Sequence, residues 1–221
     1  MSDQEQKQEP YIQPRFETAR LTLDPPSADD DVAMGAMFSD LETMTHLRFM
    51  TKEAQGGWKP ADITARRETQ CKAIAEKRGS TFYIHDKKTG ELVGVCGANV
   101  INVVDRNAVV GIILWKKYWS GGYGTEALYE MMRGLFEDWN MHKITYETRE
   151  VNTGMRKFLE EGCMTPLTYI RKDELMCPHT HQWVSLWQYV IFEEDWPRIK
   201  ENLLANIQRG AAKHANKTES A

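Results

Sequence analysis

The segment that most constrains this chain runs from residue 112 to residue 139. The β-formers Ile112-Ile113-Leu114-Trp115 give way to a loop, Trp119-Ser120-Gly121-Gly122-Tyr123-Gly124-Thr125-Glu126. From Ala127 onward, Leu128, Met131, Met132, Leu135, Phe136 and Trp139 recur on one helical face. Strand, glycine-rich loop and amphipathic helix therefore follow one another without a break. The first turn of a helix carries unpaired N–H groups and the positive end of the helix dipole, and glycines let an anion approach the backbone closely. The segment predicts a loop that holds a phosphate-bearing cofactor. A tight strand-to-helix turn is the structural alternative.

The flanking sequence sets this segment in a mixed fold. Alternation and turn residues predict strands at 20–23, 81–85, 92–100, 107–115, 144–149 and 183–192, with Lys88-Thr89-Gly90 closing a hairpin between the second and third. Helices are expected at 27–38 after Ser27, at 60–78, around Met155, Phe158 and Leu159, and from Asp195-Trp196-Pro197 onward. The class is α+β: a mostly antiparallel sheet with helices inserted between its strands. One domain is expected over 15–209, between polar tails at 1–14 and 210–221 that have little apolar surface to bury.

Charge and cysteine usage narrow the partners. With 28 Lys and Arg against 32 Asp and Glu, the net charge of −4 provides no global basic field for nucleic acid or an anionic membrane. The four cysteines, at 71, 96, 163 and 177, match neither a zinc knuckle nor a CxxC pair and read as reduced thiols of a cytoplasmic protein. No apolar run approaches the roughly 20 residues of a membrane span, and the acidic, polar start does not read as a secretion signal.

Two phosphate-binding readings compete for the loop. Gly122-Tyr123-Gly124-Thr125-Glu126-Ala127 fits the dinucleotide pattern G-x-G-x-x-G/A, with Glu147 or Glu150 placed to hold a ribose. That fold wants repeated βαβ units, whereas the upstream strands here are joined by a hairpin turn. A dinucleotide-binding oxidoreductase is therefore the weaker alternative.

The second reading is a resemblance. The loop resembles the pyrophosphate-binding pattern [QR]-x-x-G-x-[GA] of the GNAT acetyltransferase superfamily, and most of all its ribosomal-protein N-terminal acetyltransferase branch, where Trp stands at the Gln/Arg position. Glu17 to Leu23 resembles that branch's opening strand and Gly90 to Gly94 its central hairpin. Asn152, Arg156, Leu159 and Glu160 resemble its N-x-x-S-R-x-x-L-E helix, and Trp187 to Pro197 its closing strand. The likeness runs in order over about residues 15 to 200. It implies a sheet splayed between 107–115 and 143–149, with acetyl-CoA wedged in the gap. The pantetheine arm would pair with Ile113, Leu114 and Trp115, and the pyrophosphate would sit on Trp119, Ser120, Gly121, Gly122, Tyr123, Gly124 and Thr125. Asn152 and Arg156 would also hold the cofactor. The acceptor would be a primary amine, either a protein N-terminus or a small molecule, and the chain a monomer or homodimer. His46, Arg48 and residues 55–59 fall where this superfamily builds its acceptor pocket. A non-catalytic acyl-CoA sensor is the alternative from another class.

The reaction asks for particular groups. An alkylammonium must lose its proton before it attacks a thioester, so the site needs a base and donors for the oxyanion. Alternation along Thr145-Tyr146-Glu147-Thr148-Arg149 turns Glu147 away from Tyr146, making Glu147 the first candidate base. A solvated carboxylate paired with Arg149 or Lys143 fits the same pattern. Glu150 and His142 are lesser candidates. Tyr146 and Thr153 are candidate donors to the departing sulfur, because Val109, Met155 and Leu159 stand where relatives carry an acidic residue, a Ser and a Tyr. Lys116 and Lys117 could attract phosphates. Cys177-Pro178-His179-Thr180-His181 lacks a fourth ligand and reads as a loop, so no metal is expected. Trp115, Trp139, Trp183 and Trp187 are read as packing residues.

Overall fold

The computed structural model describes residues 11–53 and 56–218. Strands β1 (Phe16–Glu17), β2 (Leu21–Asp24), β3 (Ser80–Asp86), β4 (Leu92–Asn102), β5 (Asn107–Leu114), β6 (Lys143–Thr148), β7 (Tyr169–Met176) and β8 (Trp183–Phe192) form one sheet. Their order is β1-β2-β3-β4-β5-β6-β8-β7. Every neighbouring pair is antiparallel except β5 with β6. This arrangement disposes of the dinucleotide fold: the strands before the loop are antiparallel, and one parallel pair makes no repeated βαβ unit.

Helices cover both faces. On one, α3 (Tyr123–Arg133) and α5 (Trp196–Thr218) press Leu128, Met131, Met132 and Leu203 onto Leu23, Val110, Tyr146 and Tyr189. On the other, α1 (Asp31–Ser39) and α2 (Pro60–Ala75) pack Met34, Phe38 and Ile63 against Tyr83 and Val95, with Ile113 and Trp115 at the margin. The period-2 alternation of β5 thus sends Ile112 and Leu114 to the α3 side and Ile113 to the α1 side. The apolar stripe seen in the sequence of α3 is what buries it, at about 1.5–3 kcal/mol for each large side chain. A short α4 (Thr153–Lys157) follows β6.

Several expectations change. Strand β7 was not foreseen; its run YIRKDELM is largely exposed at the sheet edge and its register with β8 shifts between Arg171 and Leu175, so it shows no clean alternation. Trp183 is 59% exposed and is not a packing residue, because it lies at the outer start of β8 opposite Met176. Tyr11 and Gln13, expected in a polar tail, pack on the domain instead. Residues 1–10 lie outside the described residues, but Tyr11 meets Trp139 edge-on at 5.3 Å. The buried Gln13 donates to the Thr81 carbonyl at 2.6 Å and accepts from Ser80 Oγ at 2.8 Å. At the other end the α5 backbone runs past Gly210 to Thr218. Among the described residues no helix is long and apolar enough to cross a membrane.

Candidate active site

The parallel pair β5–β6 is incomplete. It runs from Asn107 opposite Lys143 to Val110 opposite Tyr146 and stops. β5 then follows β4 to Leu114, opposite Gly94, while β6 follows β8 to Thr148, opposite Trp187. A wedge opens between 111–114 and 147–148. The Trp115 amide donates to Val93 at 2.9 Å, so alternation commits the backbone groups of Trp115 and Ile113 to β4 and turns those of Ile112 and Leu114 to the wedge. Of the three residues expected to pair with a pantetheine arm, only Leu114 therefore faces the wedge, and its carbonyl accepts from Trp119 Nε1 at 2.8 Å.

At the mouth of the wedge the loop is wound for anion binding. Gly122, at φ +79°, is the N-cap of α3, and Ser120 also has a positive φ of 63°. Left-handed backbone suits glycine and strains other residues. Tyr123, Gly124 and Thr125 open the helix, where amides have no intrahelical acceptor; Glu126 is the first to find one, the Gly122 carbonyl at 3.1 Å. The loop is bolted from behind. Arg20 donates through Nη1 to the Gly121 carbonyl at 2.9 Å and through Nε to Glu126 Oε2 at 2.7 Å, and its guanidinium lies 4.5 Å from the Tyr123 ring centre. The buried Glu126 also accepts from the Arg20 amide and from Thr18 Oγ1. Tyr123 donates its hydroxyl to Asp86 at 2.8 Å. Arg20 and Glu126 were not foreseen as site residues; an acidic residue in the first helical turn was the available signal.

The other expected residues divide. Asn152 caps α4, its Oδ1 accepting from the Met155 amide at 3.2 Å. Arg156 donates to Glu160 and to the Glu150 carbonyl, both at 3.2 Å, and covers Trp187 at 4.5 Å. Thr153 is exposed at the start of α4. Tyr146 occupies the last paired position, at the apex of the wedge, fully buried on the α3 side with no hydrogen-bond partner for its hydroxyl. Burial drives its pKa well above the ordinary phenol value, so it stays protonated. Glu147 lies opposite Gln188 and is ion-paired with Arg171 of β7, neither Arg149 nor Lys143 being its partner. Met155 packs on the core and Leu159 is fully buried. His142 bonds Glu193 at 3.0 Å and precedes β6, at the end of that strand away from the wedge.

On the α1 side the mouth is lined by residues from distant segments. His46 stacks on Trp119 at 6.0 Å and 10°. Burial, then the charges of Arg149 and Lys116, hold its pKa below the ordinary imidazole value. Arg48 holds Glu53 in a two-pronged contact of 2.7 and 2.8 Å, and Thr51 Oγ1 lies 2.9 Å from His179 Nε2. Cys177 is buried, and a hydrogen bond from Thr180 with the charge of Arg149 behind it lowers its pKa. Among the described residues no three His, Cys, Asp or Glu side chains are grouped to hold a metal. Lys117 is paired with Glu91 at 3.0 Å, whereas Lys116 lies over Trp119 at 4.1 Å with no carboxylate partner among the described residues.

A mostly antiparallel sheet whose one parallel pair parts beside a helix N-terminus matches the fold of solved acetyltransferases. The sequence agrees. The acetyltransferase (GNAT) domain profile matches residues 20–162, and the chain belongs to that family. It is 30% identical over 84 residues to the uncharacterized N-acetyltransferase p20 of Bacillus licheniformis, a match covering 38% of this chain and 47% of that protein. The chain therefore spans about half the length of this curated relative. The fold is similar to that of a GNAT-family acetyltransferase from Bacillus anthracis, with a TM-score of 0.66 and 20% identity over 81% of this chain and 99% of the other. It is also similar to a ribosomal L7/L12 alpha-N-protein acetyltransferase in complex with coenzyme A, with a TM-score of 0.69 and 13% identity over 79% and 95% of the two chains.

Proposed function

We propose that this chain is an acetyl-CoA-dependent N-acetyltransferase that transfers an acetyl group to a primary amine by direct attack on the thioester. The observation that carries the reading is the wedge between β5 and β6, with the amides of Ser120 to Thr125 at its mouth. The residues fit such a donor. The Ile112 and Leu114 backbone groups face the wedge, Tyr146 at its apex has a hydroxyl without a partner, and Gly121, Gly122 and Gly124 add no side chains of their own to the loop. When bound, acetyl-CoA supplies the activated acyl carbon.

The chain's own groups then have distinct tasks. The loop amides and α3 dipole hold the pyrophosphate, so a chain of net charge −4 binds a polyanion through local dipoles. The Leu114 amide can donate to the developing oxyanion. The Tyr146 hydroxyl can donate a hydrogen bond to the departing sulfur, and full proton transfer is not required because thiols titrate near 8.5 and can leave as thiolates. Glu147, tied to Arg171, is poorly placed to take a proton. His46, kept neutral by burial and two neighbouring cations, is the better acceptor for the ammonium proton.

The test is to incubate the protein with acetyl-CoA and a panel of amines and to follow free thiol. Amine-dependent release supports the reading. Tight CoA binding with no release over any amine would instead support an acyl-CoA sensor.

A further inference from the structure

Several cations at the acceptor side of the wedge lack a carboxylate partner. Glu147 is paired with Arg171 and Glu53 with Arg48, Asp40 accepts from the Thr43 hydroxyl at 2.6 Å, and Glu150 is exposed to solvent. Three cations have no carboxylate partner among the described residues. Arg149, partly buried, directly follows β6 at the open end of the wedge, one residue past Thr148 opposite Trp187 of β8. Lys116 lies over the Trp119 ring on which His46 stacks. Arg66, on α2, lies 4.9 Å from the Phe38 ring centre and 6.0 Å from that of Trp58, with its Nε buried and unpartnered. The Trp58 Nε1 beside it is a second buried donor without an acceptor.

We propose that the amine acetylated here carries an anionic group, a carboxylate or a phosphate ester, which the Arg149 side of the mouth receives. This rests on the transferase reading above and names its acceptor class. Unpaired guanidinium groups beside aromatic faces and orphaned N–H donors are satisfied by a planar or tetrahedral oxyanion. A polyamine would bring further positive charge beside these unpaired cations. The cations serve the reaction as well, because a positive field lowers the pKa of the incoming ammonium and raises the fraction of free amine.

The experiment uses matched acceptors with the full chain. Glycine is compared with glycine methyl ester, O-phosphoethanolamine with ethanolamine, and an Ala-Asp tetrapeptide amide with its Ala-Asn counterpart; spermidine is the cationic arm. Thiol release should show a kcat/KM for each anionic member at least about tenfold above its neutral partner and above spermidine. Added salt should shrink the gap. Arg149→Gln should bring the anionic-to-neutral ratio to within about threefold of unity, and Arg149→Lys should restore part of it. The small molecules and the peptides separate the two sources of the anion. Spermidine or a neutral member reacting as fast as its anionic partner would overturn the proposal, as would a ratio that Arg149→Gln leaves unchanged. If no amine releases thiol, the transferase reading fails on its own. The same pairs titrated calorimetrically into CoA-loaded protein then decide the anion site: tighter binding of the anionic members, lost in Arg149→Gln, supports it, and equal binding refutes it.

Discussion

Arg20 and Glu126 lie 106 positions apart and meet side chain to side chain, with the Arg20 amide adding a second bond to the same carboxylate. Through Arg20 Nη1 this contact also fixes the Gly121 carbonyl, so the start of the domain sets the shape of its anion loop. Glu126 is buried but Arg20 is part-exposed, so water can take up the guanidinium left behind. Glu126→Ala should cost about 1–3 kcal/mol of stability, read from urea unfolding. At temperatures where the variant stays folded it should also weaken acetyl-CoA binding, because Arg20 loses its anchor. A variant with unchanged affinity would separate the pair from the loop.

Gly122 is the residue at which the loop tolerates least. Its φ of +79° disfavours any side chain, and a Cβ there would stand 3.2 Å from Arg20 Nη2. Gly122→Val should abolish detectable CoA binding while leaving the far-ultraviolet circular dichroism unchanged, with an expected stability loss of about 1–2 kcal/mol from the left-handed backbone alone. Wild-type affinity in that variant would refute the loop assignment.

Tyr146 sets stability against activity. A buried hydroxyl with no partner costs about 1–3 kcal/mol relative to one that is bonded. Tyr146→Phe should therefore be at least as stable as the parent, with a thermal midpoint equal or higher. If the hydroxyl donates a hydrogen bond to the departing sulfur, kcat should fall about tenfold or more. A variant that is both more stable and fully active would assign Tyr146 to packing alone.

The choice of base shows in the pH profile. With His46 accepting the proton, His46→Gln should lower kcat/KM about 100-fold and flatten its acidic limb. That limb should break below the ordinary imidazole pKa, because burial and the Arg149 and Lys116 charges favour the neutral ring. Glu147→Gln should lose less and keep the limb. The reverse pattern would return the role to Glu147.

His85 links β3 to two carboxylates, with Nδ1 3.0 Å from Asp24 and Nε2 2.8 Å from Asp30. The Asp30 hydrogen bond, ahead of the opposing effect of burial, raises its pKa above the ordinary value. The folded state therefore binds the proton more tightly than the unfolded chain. The stabilisation is full below the unfolded pKa of about 6.5 and is lost as pH rises through the higher folded value. The urea midpoint should fall as pH is raised through that window. In His85→Asn this component of the decline should vanish.

The parts of this fold that were legible from sequence are those whose signal is local. α3 reveals itself by its apolar stripe, the loop by Gly121, Gly122 and Gly124, and the antiparallel hairpin by Lys88-Thr89-Gly90. β7 is hidden because an exposed, charged edge strand with a register shift lacks the period-2 pattern. The Arg20–Glu126 contact depends on a fold that closes over more than 100 residues, and no spacing rule reaches that far. Glu147 alternates with the buried Tyr146 and Thr148, but its Arg171 partner sits on β7, which the sequence pattern hides. The mouth is the least legible part, because His46, Trp119, Arg149 and Cys177 belong to four separate segments.

The parting of β5 and β6 also has a thermodynamic consequence. Beyond Val110 and Tyr146 each strand has an edge without its partner, so the native sheet gives up ladder hydrogen bonds at its centre. A donor lying along Leu114 would close that seam as an extra strand does, and ligation would be coupled to folding. At a donor concentration 100 times its Kd the native state would gain about 2.7 kcal/mol. Between turnovers the wedge-facing amides of β5 would exchange faster than their β4-bonded neighbours, and the protein would be most durable while loaded.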